Sequence, residues 1–221
     1  MLVLNNVNVN INGKGILSDI SFSVNHGVNI ILGPNGSGKT TLLRAIIGMV
    51  KYSGEIRISG SVSFVPAEFS TPQMKVIDVL LSGNRRADYL YFVRELGIEE
   101  FLNREFSTLS SGEKKLVLIA KALAEGENVI MDEPLSNLDI KNRLKIMKII
   151  KKFKKTFLIT SHELDIVNYS DKVILLSKGK LVYDGNVNDL PEELISSVYG
   201  VKIRKVKIDG DVYFKPMEYS L

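Results

Sequence analysis

Hydrophobic and polar positions along this chain follow two rhythms. Over residues 2–9, Leu2, Leu4, Val7 and Val9 alternate with asparagines, and residues 17–24 alternate in the same way. A period of two predicts half-buried strands. Asn25-His26-Gly27 then turns the chain, His26 being a turn residue rather than a ligand, into the short β-branched run Val28–Leu32, a buried strand. Two antiparallel strands leading into a buried one predict a small β-layer beside a parallel core. Further strands are expected between Gly54 and Gly60 and over Val62–Val65, stopped by Pro66.

From Thr71 to Ser107 the rhythm is helical. Val76, Val79 and Leu80 share one face, followed by Leu90, Phe92, Val93 and Leu96, then Ile98, Phe101 and Leu102. Residues 110–125 predict an amphipathic helix with Leu116, Ile119, Ala120 and Leu123 on one side. Val129–Met131 is a buried strand ending in Asp132-Glu133-Pro134. A Lys-rich helix is expected over about 139–154, and Thr156–Ser161 is a buried strand ending at His162. Hairpins are expected over 172–184, turning at Lys178-Gly179, and at Val201–Ile208 and Val212–Phe214 around Asp209-Gly210. Strands alternating with helices predict a three-layer α/β fold with a mostly parallel sheet.

Composition narrows the picture only a little. The chain has 221 residues, 45 % hydrophobic and 24 % charged, as in ordinary globular proteins. Lys and Arg number 29 against 25 Asp and Glu, a mild net charge of +4. The lysines cluster in 141–155 and 202–207, which reads as solvated faces, so no nucleic-acid partner is expected. There are no cysteines, so disulfides, thiol chemistry and Cys-based metal sites are excluded. The N-terminus has no signal-peptide pattern. No apolar run reaches about 18 residues, so work at a membrane would need a partner to supply the span.

The chemistry concentrates at Gly33-Pro34-Asn35-Gly36-Ser37-Gly38-Lys39-Thr40-Thr41. This is G-x-x-x-x-G-K-T between a buried strand and a helix start at Leu42–Ile47, the context a phosphate-binding P-loop requires. Its glycines let consecutive N–H groups turn inward onto phosphate oxygens. Lys39 reaches the β- and γ-phosphates, and the Thr40 hydroxyl is a Mg²⁺ ligand. A glycine-rich turn before a helix is the bland reading, and Lys-Thr in register decides against it. Asp132 ends an apolar strand, where an unpaired carboxylate is costly; there it orients the metal that Thr40 touches. By period-two alternation Glu133 points the other way, toward solvent or an attacking water, as a general base. His162 ends a neighbouring strand at the edge where α/β folds bind ligands, and is expected to contact the γ-phosphate.

With Leu109-Ser110-Ser111-Gly112-Glu113 and Ser136-Asn137-Leu138-Asp139, five motifs stand in order, and the whole chain resembles the ATPase subunit of ABC transporters. The resemblance implies an α/β P-loop NTPase core of RecA-like type with an antiparallel β subdomain and a helical insertion subdomain. As one domain, 1–221, it would comprise core and antiparallel β over about 1–68 and 107–190, the insertion over about 69–106, and a C-terminal helix and hairpin over about 191–221. It implies ATP and Mg²⁺ as cofactors and ATP hydrolysis coupled to transport. It further implies a homodimer or paired cassette in which Ser110, Ser111, Gly112 and Glu113 of one subunit cap the γ-phosphate held by Lys39 of the other. Asp139 would lie at the dimer centre. Integral membrane permease subunits, with an extracytoplasmic solute-binding protein, would be the partners, and the chain would sit in the cytoplasm on the inner face of the membrane.

The sequence departs from the family pattern in three places. Ser111 and Glu113 replace the glycine and glutamine of Leu-Ser-Gly-Gly-Gln. Ile11 stands near the position where the family stacks an aromatic ring on adenine. Ala67 follows Pro66 where the family has a glutamine; Glu68 comes next, a candidate metal ligand in its place, with Gln73 further on. The run from Val76 to Arg86, and the tail from Glu193 through Pro216, are similar to importer ATPases for siderophore iron, haem and cobalamin. An exporter ATPase or a soluble iron–sulfur assembly ATPase is the alternative. Coiled-coil arms of chromosome-maintenance members and the doubled cassette of ribosome-associated ones are not found.

Overall fold

The computed structural model describes residues 1–217 other than Arg85 and Asn137, so those members of the 76–86 and 136–139 runs lie outside the described residues. The chain begins with β1 (Leu2–Ile11) and β2 (Lys14–Val24), then β3 (Gly27–Leu32) and α1 (Lys39–Ile46). Next come β4 (Ser53–Ile58), β5 (Val62–Val65), α2 (Val76–Leu81) and α3 (Tyr89–Glu95). Two 3-10 turns lead to α4 (Ser111–Glu125), β6 (Asn128–Met131), α5 (Ile140–Lys152) and β7 (Thr156–Ser161). The antiparallel pair β8 (Lys172–Ser177) and β9 (Lys180–Gly185), α6 (Glu192–Tyr199), and the hairpin β10 (Ile203–Ile208) and β11 (Asp211–Pro216) complete it.

A six-stranded sheet in the order β5-β6-β7-β3-β8-β9 runs through the middle. All its strands are parallel except the edge strand β9. Its side chains alternate between two apolar layers. Ile30, Leu32, Met131, Phe157 and Ile159 pack with residues of α2 to α6 on one face. Ile31, Ile130, Leu158 and Ile174 pack with Leu42, Leu43 and Ile46 of α1 and with β1 and β2 on the other. Strands buried on both faces read as continuous apolar runs, which is why β6 and β7 carry no polar alternation. A second sheet, β2-β1-β4, is antiparallel. The expected β-layer therefore has a third strand, the segment between Gly54 and Gly60.

The helical region is more broken than its periodicity predicts: α2 has 6 residues and α3 has 7. Leu90, expected on the buried face, is exposed, and Tyr89 is buried instead. The reason is a hydrogen bond. The Tyr89 hydroxyl donates to Glu125 Oε1 at 2.6 Å and reaches the Asn84 carbonyl at 2.9 Å, so the ring can enter the core without orphaning its polar tip. The β8–β9 turn ties layers together. The Gly179 amide donates to the Ser37 carbonyl at 3.0 Å, and its carbonyl accepts from Ser18 at 2.9 Å. The 33–41 loop is thereby clamped between the central sheet and the antiparallel one.

Phe157, fully buried in β7, tests the layered core. Phe157→Ala is expected to destabilise the chain by about 3–5 kcal/mol, read as a lower denaturation midpoint at unchanged slope; a shift under about 1 kcal/mol would contradict the packing described.

Candidate active site

The site is built at the carboxyl-end edge of the central sheet. Register places Leu32 of β3 beside Ser161 of β7, and Met131 of β6 beside Ile159. The residues that follow these three strands, 33–41, 132–133 and 162, therefore emerge side by side. This is where ligands of open α/β sheets bind.

The first element is the loop from β3 to α1. A Cβ on Gly33 would lie 2.5 Å from both the Leu176 carbonyl oxygen and Ser37 Oγ, so only glycine fits. Gly38 caps α1 with φ 104°, a left-handed backbone that favours glycine. Lys39 begins the helix and is 5 % exposed. Its ammonium donates to the carbonyls of Gly33 at 2.7 Å and Pro34 at 3.2 Å. Burial holds its pKa below the ordinary lysine value, opposed by the nearby carboxylates of Glu133 and Asp132. Asn35, Gly36, Gly38, Lys39, Thr40, Thr41, Ile16 and Glu133 line a cavity of about 290 Å³ over this loop.

The second element follows β6. Asp132 is buried, and its Oδ1 accepts the Thr160 hydroxyl at 2.6 Å. Thr160 Oγ1 in turn accepts the Glu133 amide at 2.9 Å. One hydroxyl thus fixes both acidic residues from the neighbouring strand. The alternation expected for Glu133 does not apply, because β6 ends at Met131 and Glu133 adopts φ 45°. That left-handed backbone is uncommon for a non-glycine residue. It turns the carboxylate back over the loop, 3.8 Å from Lys39 Nζ and 3.1 Å from His162 Nδ1. At that distance an Nδ1–H tautomer of His162 donates to Glu133 Oε2. Lys39, Glu133 and His162 are therefore brought together as expected.

Thr40 and Asp132 both line a second cavity, of about 570 Å³, together with Arg44, Ala67 and Glu68. A hydroxyl and a carboxylate with one oxygen committed fit a hard cation that keeps most of its ligands from water and phosphate. Among the described residues no cluster of three or more acidic or histidine side chains could hold a metal by itself. Glu68 is exposed at the rim of this cavity.

Other expected residues lie elsewhere. Ile11 is exposed at the end of β1 and does not line the loop cavity. Ile16, on the returning strand, does. The hairpin turn between them brings an apolar side chain to this cavity five residues further along the chain than Ile11. The stretch 109–113 also lines neither cavity. It starts α4 with a capping box: Ser110 Oγ accepts the Glu113 amide at 3.2 Å, and Glu113 Oε2 accepts the Ser110 amide at 2.7 Å. That amide, aided by Arg104 at 3.5 Å, holds the Glu113 carboxyl below its ordinary pKa. The Glu113 side chain is thus spent on its own helix. Among the described residues, no acceptor takes the amides of Ser111 and Gly112. Asp139 caps α5, accepting the Asn142 amide at 2.8 Å, and is exposed.

Thr160, Ile16 and Lys115 are site residues that motif reading missed. Thr160 left a faint signal as a polar residue inside an apolar strand. Lys115 left another, as a lysine on the apolar stripe of α4.

A family model described as ABC transporter matches residues 17–136. The chain is 32 % identical over 221 residues to the zinc transport system ATP-binding protein TroB of Treponema pallidum, across 86 % of this chain and 83 % of that protein. It is 34 % identical over 203 residues to the molybdate/tungstate import ATP-binding protein WtpC of Pyrococcus horikoshii, across 79 % of this chain and 59 % of that one. A solved structure described as an inward-facing conformation of a metal-chelate type ABC transporter superposes with a TM-score of 0.87 at 24 % identity, covering 98 % and 97 % of the two chains. At that identity the likeness is one of fold.

Thr160→Val keeps the shape of the bridging residue and removes its hydroxyl. It leaves the Asp132 carboxylate and the Glu133 amide without their partner, at a cost of about 1–3 kcal/mol or more. Chemical denaturation should show that loss, with Thr160→Ser recovering most of it; a valine variant as stable as the parent would mean the bridge contributes nothing.

Proposed function

The chain belongs to the ABC transporter family, and from that premise we propose that residues 33–41, Asp132, Glu133 and His162 form one half of an ATP-hydrolysing centre whose other half is residues 109–113 of a second cassette. It is an ATP-binding subunit, and members of the family hydrolyse ATP to drive transport. The observation that carries the proposal is the meeting of Glu133 with Lys39 at 3.8 Å and His162 at 3.1 Å over the loop cavity.

The proposed mechanism assigns each group one task. The loop amides and Lys39 hold the phosphates, and the buried ammonium attracts the β/γ oxygens strongly because little water screens it. Ile16, rather than Ile11, offers the apolar contact beside the loop. The Glu133 carboxylate accepts the proton of the attacking water. His162, held by Glu133 through Nδ1, faces the γ-phosphate with the rest of its ring. Thr40 and Asp132 would hold Mg²⁺, with Glu68 at the rim of the same cavity, and the bound ion would neutralise phosphate charge. The amides of Ser111 and Gly112, without an acceptor among the described residues, suit an anion at the positive end of α4. Since they line neither cavity of their own chain, the phosphate they meet would be on a partner, with Asp139 near the join.

No described helix is long and apolar enough to cross a membrane. In the proposed assembly, permease subunits supply the span, the cassette sits on their cytoplasmic side, and a solute-binding protein delivers cargo. The relative named for molybdate/tungstate import supports import over export, and the one named for zinc transport supports a metal cargo. A metal ion, metal chelate, haem or cobalamin is the cargo class proposed.

Two variants test the centre. Lys39→Ala should abolish turnover and weaken Mg-ATP binding. Glu133→Gln should lower turnover by about 10²-fold or more while leaving ATP affinity nearly unchanged, because an amide cannot take the water's proton. Equilibrium binding and phosphate release are the readouts. Wild-type affinity in the first variant, or wild-type turnover in the second, would overturn the assignment.

A further inference from the structure

Helix α4 carries a lysine where its periodicity asks for an apolar residue. Lys115 falls on the stripe with Leu116, Ile119 and Leu123 and is 4 % exposed. Its ammonium donates to the Glu133 carbonyl at 3.1 Å, the Ser136 carbonyl at 3.3 Å and the Ser136 hydroxyl at 3.0 Å. Ser136 reinforces the same point: its hydroxyl and its amide reach the Glu133 carbonyl at 2.9 and 3.2 Å. Burial holds the lysine's pKa down, and the Glu133 and Asp132 carboxylates oppose that shift. A buried ammonium is costly to keep unless its donors are satisfied. Here the acceptors come from one short turn, the turn that begins with Glu133.

The backbone of that turn makes the contact consequential. Glu133 holds φ 45°, a conformation that persists only where its surroundings over-determine it. Its amide is fixed by Thr160 at 2.9 Å. Its carbonyl is fixed by Lys115 together with Ser136, whose hydroxyl Lys115 also holds. With both ends of the residue pinned, its side chain has one direction to leave in, toward Lys39 and His162.

We infer that Lys115 is a positioning residue for hydrolysis, holding the 133–136 turn so that the Glu133 carboxylate stays aimed at Lys39 and His162. This rests on the reading of Glu133 as the base. It acts through Glu133 and touches no reacting atom. Its place on α4 also joins that helix to the backbone of the Glu133 turn by one side chain, and Ser111, Lys115 and Ser136 border a common cavity with Ala67, Glu68 and Phe69.

The test combines Lys115→Met and Lys115→Arg with Glu133→Gln, measuring kcat and KM for Mg-ATP and thermal unfolding of each full-length variant. Lys115→Met should lower kcat by about tenfold or more, a small misplacement being enough, with KM within about threefold. Its unfolding midpoint should not fall, because methionine removes a buried charge. Lys115→Arg, which keeps donors at that end of the side chain, should return kcat to within about threefold of the parent. In the Glu133→Gln background Lys115→Met should change the residual rate by less than about twofold, since the two residues act as a unit. Should the methionine variant fail to fold, Lys115→Gln, which ends short of the Glu133 carbonyl, takes its place with the same expected loss. Wild-type kcat in a folded Lys115→Met, or an equal fractional loss in both backgrounds, would overturn the inference alone. Wild-type turnover in Glu133→Gln would overturn the reading beneath it.

Discussion

Much of the sheet edge is arranged around one buried charge, the ammonium of Lys39. Taking a lysine out of water is expensive, and burial holds its pKa down accordingly. Two loop carbonyls accept from it, at 2.7 and 3.2 Å, and the Glu133 carboxylate stands at 3.8 Å. Of these only the carboxylate is a full counter-charge, and it stands at the far limit of an ion pair. The loop that supplies the carbonyls needs glycine at 33 and 38 to curl so tightly. Parallel register then brings the acidic pair after β6 and the histidine after β7 within reach. A second buried lysine, Lys115, holds the acidic turn from the opposite side. Two cations and two carboxylates thus share a small volume, balanced closely enough to fold and open enough at Lys39 to welcome phosphate.

Much of this is legible in the amino-acid sequence. Strands β3, β6 and β7 are short apolar runs bounded by turn residues or motif carboxylates, and parallel strands buried on both faces have to read that way. The 33–41 loop, Asp132, Glu133 and His162 are recognisable because the chemistry demands fixed residue types beside strand ends. What periodicity could not supply was direction. Glu133 departs from alternation because its strand stops two residues earlier and its backbone turns left-handed. Tyr89 replaced Leu90 in the core because a tertiary hydrogen bond to Glu125 made the aromatic ring cheaper to bury. Ile16 and Thr160 matter through neighbours far away in sequence, which no local pattern encodes. Glu113, aligned with a motif glutamine, proved to be half of a capping box, as its spacing of three from Ser110 could have suggested.

In the proposed assembly the capping box bears on how the centre would be divided between chains. Ser110 and Glu113 satisfy each other's amides, so among the described residues the amides of Ser111 and Gly112 are those left at the helix start for the proposed anion. Those two residues border neither cavity beside the loop of their own chain. On the proposed reading, a phosphate cradle without a cap and a cap without a phosphate, in one polypeptide, would be complementary halves. In the proposed assembly each cassette binds Mg-ATP alone and hydrolyses it only against a second.

The most direct test is the ATPase rate per chain as total chain concentration is varied, beginning where light scattering shows monomers. The account predicts that specific activity climbs with concentration and levels off as pairs form, so that the initial rate rises faster than linearly. A specific activity that is constant down to the monomer range would contradict it, because one chain would then carry a complete centre.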